Sequence, residues 1–244
     1  MGPLLLALCL SPPVPLFAAR PLFTEETDTV EKGSFEMELG VDYLREDNRD
    51  KDYIPSMQLK YGPLEKMEIG ATIGYLWRDV HEGGTRDGWT DLFAYLKYRL
   101  WEEGESYPAF ALKPLLKLPT QTWREITESR RADYALGAIF DKSFGKVVTL
   151  YFDLFYYRIG DPNETDVLHT GMAAEYRFLE GWSAVGEVRY LDNFNSDRKD
   201  DSLFLNFGLK KDVGRAVLDA AVIVGLNNAA PDYGFTVGVT IPFK

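Results

Sequence analysis

The sequence contains little cysteine, little histidine and no excess of basic residues. Its 244 residues include one cysteine, Cys9, and two histidines, His81 and His169. One thiol cannot form an intramolecular disulfide, and two isolated histidines do not provide the three or four ligands of a zinc site. Lys and Arg number 27 against 38 Asp and Glu, a net charge of −11, which argues against a nucleic-acid partner because phosphate binding needs clustered basic residues. We therefore expect no cofactor, no metal site and no catalytic residues.

Long hydrophobic runs are also missing after the N-terminus. Residues 1–19 carry no charge, include an apolar run over residues 3–10 and end in Phe17-Ala18-Ala19, a pattern typical of a signal peptide cleaved after Ala19. No later stretch approaches the roughly 20 apolar residues of a membrane-spanning helix. A β-barrel is not excluded by this absence, because its strands face the membrane only with every second residue. We expect export and a mature chain of residues 20–244.

The sequence does contain a regular alternation of apolar and polar residues between residues 33 and 243. Residues 35–43, for example, place Phe, Met, Leu, Val and Tyr on one face and Glu, Glu, Gly and Asp on the other. This period of two predicts strands, and their length suits tilted strands that cross a bilayer. The predicted strands are residues 33–46, 52–61, 65–77, 89–100, 107–118, 131–142, 146–158, 166–178, 181–192, 201–211, 214–227 and 231–243.

The connections between these segments alternate in length. Long polar stretches such as 78–88, 119–130 and 193–200 alternate with short turns such as 62–64 and 143–145. Outer-membrane barrels have short periplasmic turns and longer external loops. The sequence thus predicts an all-β fold, a twelve-stranded antiparallel up-and-down transmembrane β-barrel over residues 33–244, with both termini on the periplasmic side.

The distribution of charge and aromatic residues favours a membrane barrel over a soluble one. Strand interiors carry no Asp, Glu, Lys or Arg on the apolar face, and aromatic residues of that face concentrate near both strand ends, as in the girdles of outer-membrane barrels. The last segment, residues 233–243, resembles the C-terminal signal that hands such barrels to their insertion machinery, although Lys244 follows it. The expected partners are therefore outer-membrane lipids, the barrel insertion machinery and small solutes.

Charged residues of the polar face form two groups on opposite sides of the predicted barrel. Opposed rows of charge would create a transverse field that orients and filters polar solutes, as charged rings do in channels. The alternative is that most of these charges form cross-strand ion pairs. The basic row comprises Lys97, Arg99, Lys113 and Lys117, and the acidic row comprises Glu36, Glu38, Asp42, Asp219 and Asp232.

Several stretches of the sequence are also similar to a known family. They are residues 20–33 (RPLFTEETDTVEKG), 59–62, 67–70, 95–100 (YLKYRL) and 112–120 (LKPLLKLPT), which span most of the mature chain. Together they resemble a family of outer-membrane barrels labelled for the MetA pathway of phenol degradation. The resemblance implies a barrel of about twelve strands and uptake of small organic compounds, and it supplies no catalytic residue.

Three functions remain open from the sequence. The favoured one is a channel or transporter in the outer membrane of a Gram-negative-type cell that passes small molecules passively through a charged lumen. The second is a closed structural or surface-interaction barrel that works through its long external loops. The third, a membrane lipid hydrolase, needs Ser and His together on the lipid face, whereas His169 is predicted to face the lumen. Residues 20–32 form a periplasmic segment that either plugs the barrel or hangs free.

Overall fold

The computed structural model describes residues 20–46, 49–122, 131–194 and 201–244. The predicted signal peptide, residues 1–19, and parts of the predicted loops 47–51, 119–130 and 193–200 lie outside the described residues. No helix in the described ranges is long and apolar enough to cross a membrane.

Thirteen antiparallel strands form a single sheet in these ranges. Most of their bounds lie within two or three residues of the predicted ones. The strands are β1 (Phe35–Arg45), β2 (Lys51–Leu64), β3 (Met67–Val80), β4 (Gly84–Trp89), β5 (Leu92–Trp101), β6 (Ala109–Leu118), β7 (Asp133–Phe144), β8 (Val148–Arg158), β9 (Val167–Leu179), β10 (Trp182–Asp192), β11 (Ser202–Val213), β12 (Ala216–Gly225) and β13 (Tyr233–Phe243).

The sheet closes on itself. β1 pairs with both β2 and β13, so that Leu39 lies opposite Met57 on one side and opposite Val239 on the other. In the described ranges, each strand except β4 pairs antiparallel with a neighbour on both sides, and this closure removes the sheet edges from the barrel wall. The predicted barrel of twelve strands is therefore confirmed. We call its two ends the short-turn end, where turns such as 65–66 and 180–181 lie, and the long-loop end.

One barrel strand is interrupted, which the sequence does not predict. The predicted strand 89–100 is divided into two strands. β4 pairs with residues 75–80 of β3, toward the long-loop end, and β5 pairs with residues 67–72 of β3, toward the short-turn end. Between them, the backbone N–H of Thr90 donates to the carbonyl of Gly74 at 2.9 Å, and its hydroxyl accepts from the N–H of Gly74 at 2.9 Å. The stretch 78–88, predicted as a loop, is thus largely a β-hairpin that extends the long-loop end.

The two faces of the sheet have the predicted polarity. Outward-facing Leu59 and Val237 are 43% and 54% exposed, whereas inward-facing Lys113 and Asp153 are 1% and 0% exposed. Charged residues line the interior and apolar residues cover the exterior, the reverse of a soluble barrel. This arrangement suits a bilayer, because a Lys or Arg facing lipid at the midplane costs roughly 2 to 4 kcal/mol.

Aromatic side chains stack in the girdles at both ends of the barrel. At the short-turn end the rings of Phe110 and Phe140 lie 4.7 Å apart, and Trp101 continues the stack. At the long-loop end the rings of Tyr43 and Tyr53 lie 5.2 Å apart. Amphipathic rings favour the boundary between hydrocarbon and water, so the girdles mark the two edges of the apolar band.

A pair of substitutions tests the assignment of the two faces. Ala220 is exposed in the middle of β12, whereas Thr240 on β13 faces the wide cavity at the short-turn end of the lumen. We expect Ala220→Arg to lower the free energy of unfolding in lipid vesicles by roughly 2 to 4 kcal/mol. Thr240→Arg, the matched control, should change it little because its guanidinium reaches water. Equal losses in the two variants would contradict the assignment.

Candidate functional site

The predicted basic row lines one side of the lumen. Lys97 and Arg99 project inward from β5, and Lys113 and Lys117 project inward from β6. Lys97 Nζ lies 3.5 Å from the carboxylate of Glu68, and Lys117 Nζ lies within ion-pair distance of two carboxylates, at 2.5 Å from Asp133 and 3.5 Å from Asp91. Cross-strand ion pairs therefore account for part of this row.

Four of the five residues of the predicted acidic row lie together on the opposite wall. Glu36 and Glu38 on β1 both contact Lys60, the former at 2.9 Å. Asp42 and Asp219 are buried near each other on β1 and β12. Asp232 does not join them: it precedes β13, and its side chain is exposed. The predicted strand 231–243 begins two residues too early, which explains this misplacement.

Residues 20–32, which we call the N-terminal segment, enter the barrel between these two walls. Residues 21–25 and 27 are buried inside it, and Lys32 pairs with Gly62 at the short-turn end. Five of the segment's backbone N–H groups bond to carboxylates of the wall. The N–H of Phe23 donates to Glu187 at 2.9 Å, and that of Glu25 donates to Asp153 at 2.8 Å. Further along, the N–H groups of Thr24, Thr27 and Val30 donate to Glu187, Asp141 and Glu68, respectively.

Carbonyl groups of the segment are also bonded to the wall. Asn206 Nδ2 donates to the carbonyl of Pro21 at 2.8 Å, and Arg189 Nη1 donates to that of Phe23 at 2.8 Å. Buried backbone groups need such partners because an unpaired one loses the hydrogen bonds it makes to water. The wall thus replaces the partner strand that an extended segment would otherwise need.

Two apolar contacts add to these hydrogen bonds. Phe23 packs among buried residues of the long-loop half of the lumen, with its ring edge-on to that of Phe204 at 5.4 Å. Leu22 packs against Ala173 and Val185. Both side chains are at most 9% exposed, so their burial contributes the hydrophobic part of the binding of the segment.

The charges of the segment complement those of the two walls. Arg20 lies 3.4 Å from Asp219 on the acidic wall. On the basic wall, Glu25 accepts from Lys113 at 2.5 Å and Asp28 accepts from Arg99 at 2.6 Å. The segment therefore crosses the lumen with its basic end against the acidic row and its acidic stretch against the basic row.

The segment divides the space inside the barrel. At the short-turn end there is a vestibule of about 1080 Å³, whose lining includes Glu26, Asp28, Glu36 and Arg99. Between residues 20–23 and the wall of β1, β2 and β3, a cavity of only about 30 Å³ remains. That volume is on the order of one water molecule, so the segment leaves almost no free space on this side of the lumen.

An apolar cluster covers another part of the lumen wall. Its members are buried on the inner face of β5 to β9, beside the basic row, and the interior is therefore not lined by charge alone. The cluster contains Tyr95, Ala111, Leu115, Ala135, Ile139, Phe155, Tyr157 and Val167.

His169 lies within this lumen wall. Its side chain is 2% exposed and its ring stacks on that of Tyr157 at 4.5 Å. It therefore faces the interior, as predicted, and not the lipid. In the part of the chain that the structure describes, no group of three or more His, Cys, Asp or Glu is arranged to hold a metal ion.

Sequence reasoning missed the role of four lumen carboxylates. Glu68, Asp141, Asp153 and Glu187 appear in the sequence as polar positions of alternating strands, whereas the structure shows them as acceptors for the N-terminal segment. An available signal was the excess of acidic over basic residues on the polar face. A buried carboxylate has more acceptor positions than one wall base can satisfy, so it requires further donors.

Glu26 is an acidic residue of the segment whose pKa is shifted by its surroundings. Burial raises its pKa to about 7, and Lys210, Lys97 and Lys60 offset that effect only in part. A carboxyl whose pKa is higher inside the protein than in water destabilises the inserted segment once it ionises. This penalty is absent below about pH 4, develops between pH 4.5 and 7, and is constant above that range.

Family and structural comparisons agree with this architecture. A family model described as "Putative MetA-pathway of phenol degradation" matches residues 18–243. No curated protein sequence matches the chain. The solved structures that resemble it include outer-membrane channels and porins.

Three of these structures illustrate the range. The COG4313 outer membrane channel from Pseudomonas putida F1 is 12% identical, with a TM-score of 0.69 over 89% of this chain and 98% of that chain. The KdgM porin is 11% identical, with a TM-score of 0.53 over 85% and 99%. The toluene transporter TodX of Pseudomonas putida is 9% identical, with a TM-score of 0.51 over 86% and 89%. At these identities the likeness establishes the fold alone.

The pKa of Glu26 gives a pH-dependent prediction. We expect Glu26→Gln to raise the free energy of unfolding at pH 8 by roughly 2 to 3 kcal/mol and to leave it unchanged at pH 4. Water in the vestibule screens the half-buried Glu26 carboxylate and limits the size of the gain. Denaturant titrations in detergent at the two pH values measure this difference. Glu180→Gln, which removes an exposed carboxylate at the same vestibule, is the matched control. A gain of equal size at both pH values would contradict the interpretation.

Proposed function

We propose that this chain, which belongs to the family described for the MetA pathway of phenol degradation, is an outer-membrane channel for small molecules whose lumen is closed by residues 20–32. The observation that carries this proposal is the set of five backbone amides of the segment bonded to four wall carboxylates. A segment that merely filled space would not need this matched set of acceptors.

The proposed location follows from the apolar outer face and the loop lengths. Residues 1–19 direct export as a signal peptide, and the barrel then inserts into the outer membrane of a Gram-negative-type cell with the help of the insertion machinery. The short-turn end, with the vestibule, faces the periplasm. Solutes pass chemically unchanged, so the chain acts as a passive channel rather than as an enzyme.

The nature of the contacts supports reversible closure. Hydrogen bonds between amides and carboxylates can be exchanged for hydrogen bonds to water, and ordering the segment costs backbone entropy that opposes its insertion. The apolar contacts of Leu22 and Phe23 are few. The segment is therefore bound firmly enough to occupy the lumen, and its release does not require the barrel to unfold.

The lining suggests the class of solute. Charged residues of both signs and an apolar cluster share the lumen wall, so small organic molecules with a polar group find partners for both parts. This lining also agrees with the uptake of small organic compounds that the family resemblance implies.

Conductance measurements test the proposal. In planar lipid bilayers the chain of residues 20–244 should give only small or rare conductance steps. The same chain without residues 20–32 should give larger and longer-lived steps because its lumen is open. The heat-modifiable gel mobility of each protein shows whether the barrel has folded.

A substitution in the complete chain provides a second arm. Asp153→Asn with Glu187→Gln weakens three of the amide contacts and should raise the frequency of steps, whereas Asp212→Asn at the rim of the vestibule should not. Equal conductance with and without residues 20–32 would contradict closure by the segment. Absence of conductance from both folded chains would favour the closed structural barrel.

A further inference from the structure

Arg20 occupies a slot in the lumen wall that is shaped for a flat group. Gly40 on β1 and Gly238 on β13 lie directly opposite each other in the sheet. A β-carbon added at either glycine would overlap the guanidinium group of Arg20, and its three nearest atoms would all belong to that side chain. The two glycines therefore form a floor against which the guanidinium plane lies.

Polar groups surround the slot. Arg20 Nη2 donates to Thr236 Oγ1 at 2.7 Å and to the backbone carbonyl of Val237 at 2.7 Å, and it lies 3.4 Å from Asp219 Oδ1. Asp42, which is 3% exposed, lies directly opposite Thr236 in the sheet. Two carboxylates, a hydroxyl and a carbonyl form a set of acceptors for a cation with several donors.

Arg20 does not use this set completely. Within the described part of the chain, its Nε atom has no hydrogen-bond partner, nor do Asp42 Oδ2 and either carboxylate oxygen of Asp219. The slot presents two carboxylates to one guanidinium. The Arg20 guanidinium, whose backbone continues into Pro21, thus leaves one of its own donors and acceptors of both carboxylates unpaired.

We infer that this slot is a binding site for the guanidinium group of a small solute, and that Arg20 occupies it in place of such a solute. An untethered guanidinium can orient its five donors toward Asp42, Asp219 and Thr236 together. A solute that binds there competes with Arg20 and so releases one end of the N-terminal segment. The inference rests on the proposed function, because it identifies a class of solute for the same lumen.

The shape of the slot favours guanidinium over an alkylammonium group. Guanidinium is planar and bonds carboxylates in a bidentate manner, whereas an ammonium is a compact, strongly hydrated charge. A flat floor without β-carbons gives the planar group an advantage that the ammonium lacks.

Isothermal titration calorimetry on the complete chain in detergent tests the inference. The probe is methylguanidinium, and its comparison compounds are methylammonium and the neutral methylurea. The variant Arg20→Ala empties the slot and should bind methylguanidinium saturably, at least about tenfold more tightly than it binds either comparison compound. The unaltered chain should bind it more weakly, because Arg20 competes.

Two further substitutions, each added separately to the Arg20→Ala chain, show whether methylguanidinium binds in the slot. Gly238→Ala fills the floor and Asp219→Asn removes a charge, and each should weaken binding at least about tenfold. Gly186→Ala is the matched glycine control, since its β-carbon would meet only Phe207, at 3.5 Å. Arg99→Ala, which removes another lumen guanidinium that contacts Asp28, should not create a binding site.

A measurement on the unaltered chain is independent of how the variants fold. Methylguanidinium, but not methylurea, should speed hydrogen exchange of the Phe23 and Thr24 amides, because displacing Arg20 loosens the segment. Folded Arg20→Ala protein without saturable binding, or binding unaffected by Gly238→Ala and Asp219→Asn, would overturn the inference. Binding with these properties and no conductance in any variant would instead retain the site and refute the channel.

Discussion

The architecture of the interior depends on the pairing of the backbone amides of residues 20–32 with carboxylates of the barrel wall. An extended segment inside a barrel has no partner strand, and buried carboxylates need donors beyond the bases that the wall supplies. Each therefore satisfies the other. Asp153, which is 0% exposed, accepts the Glu25 amide while it also lies 3.3 Å from Arg189, so the wall and the segment share one continuous polar network.

This pairing reconciles the two interpretations of the lumen charges. Contacts such as Lys60 with Glu38 and Lys117 with Asp133 are cross-strand ion pairs of the wall itself. Three further charges of the opposed rows face the segment, which brings Arg20 to Asp219 on one wall and Glu25 and Asp28 to Lys113 and Arg99 on the other. While the segment is inserted, its charges would partly neutralise a transverse field between the rows. When the segment leaves, that field would act on solutes in the lumen.

The sequence predicts the barrel well because one physical rule governs its wall. A strand with lipid on one side and a polar lumen on the other must alternate, so β1 and the neighbouring strands are recognisable residue by residue. The hairpin of β3 and β4 is not recognised because residues 84–88 do not alternate apolar and polar side chains. Asp232 is misplaced because the period fixes a face but not the residue at which a strand ends.

The arrangement of the interior is much less predictable from the sequence. Periodicity places Glu187 and Lys113 on the lumen face, but it contains no information about which group crosses the lumen to meet them. The N-terminal segment has no alternation because it contacts the wall on several sides at once. Its composition, Arg20 followed by Glu25, Glu26 and Asp28, becomes interpretable only when the positions of both charged walls are known.

Closure by the segment can be tested by fixing it reversibly in place. A β-carbon added at Gly171 would overlap Thr24 Oγ1, so the Cβ atoms of a Thr24→Cys, Gly171→Cys pair are close enough for a disulfide, and residues 20–244 contain no other thiol. We expect the oxidised double variant to show no conductance steps in a planar bilayer, and reduction to restore the rare steps of the unaltered chain, with both single variants insensitive to redox state. Steps that persist at the same frequency in the oxidised protein would contradict the account.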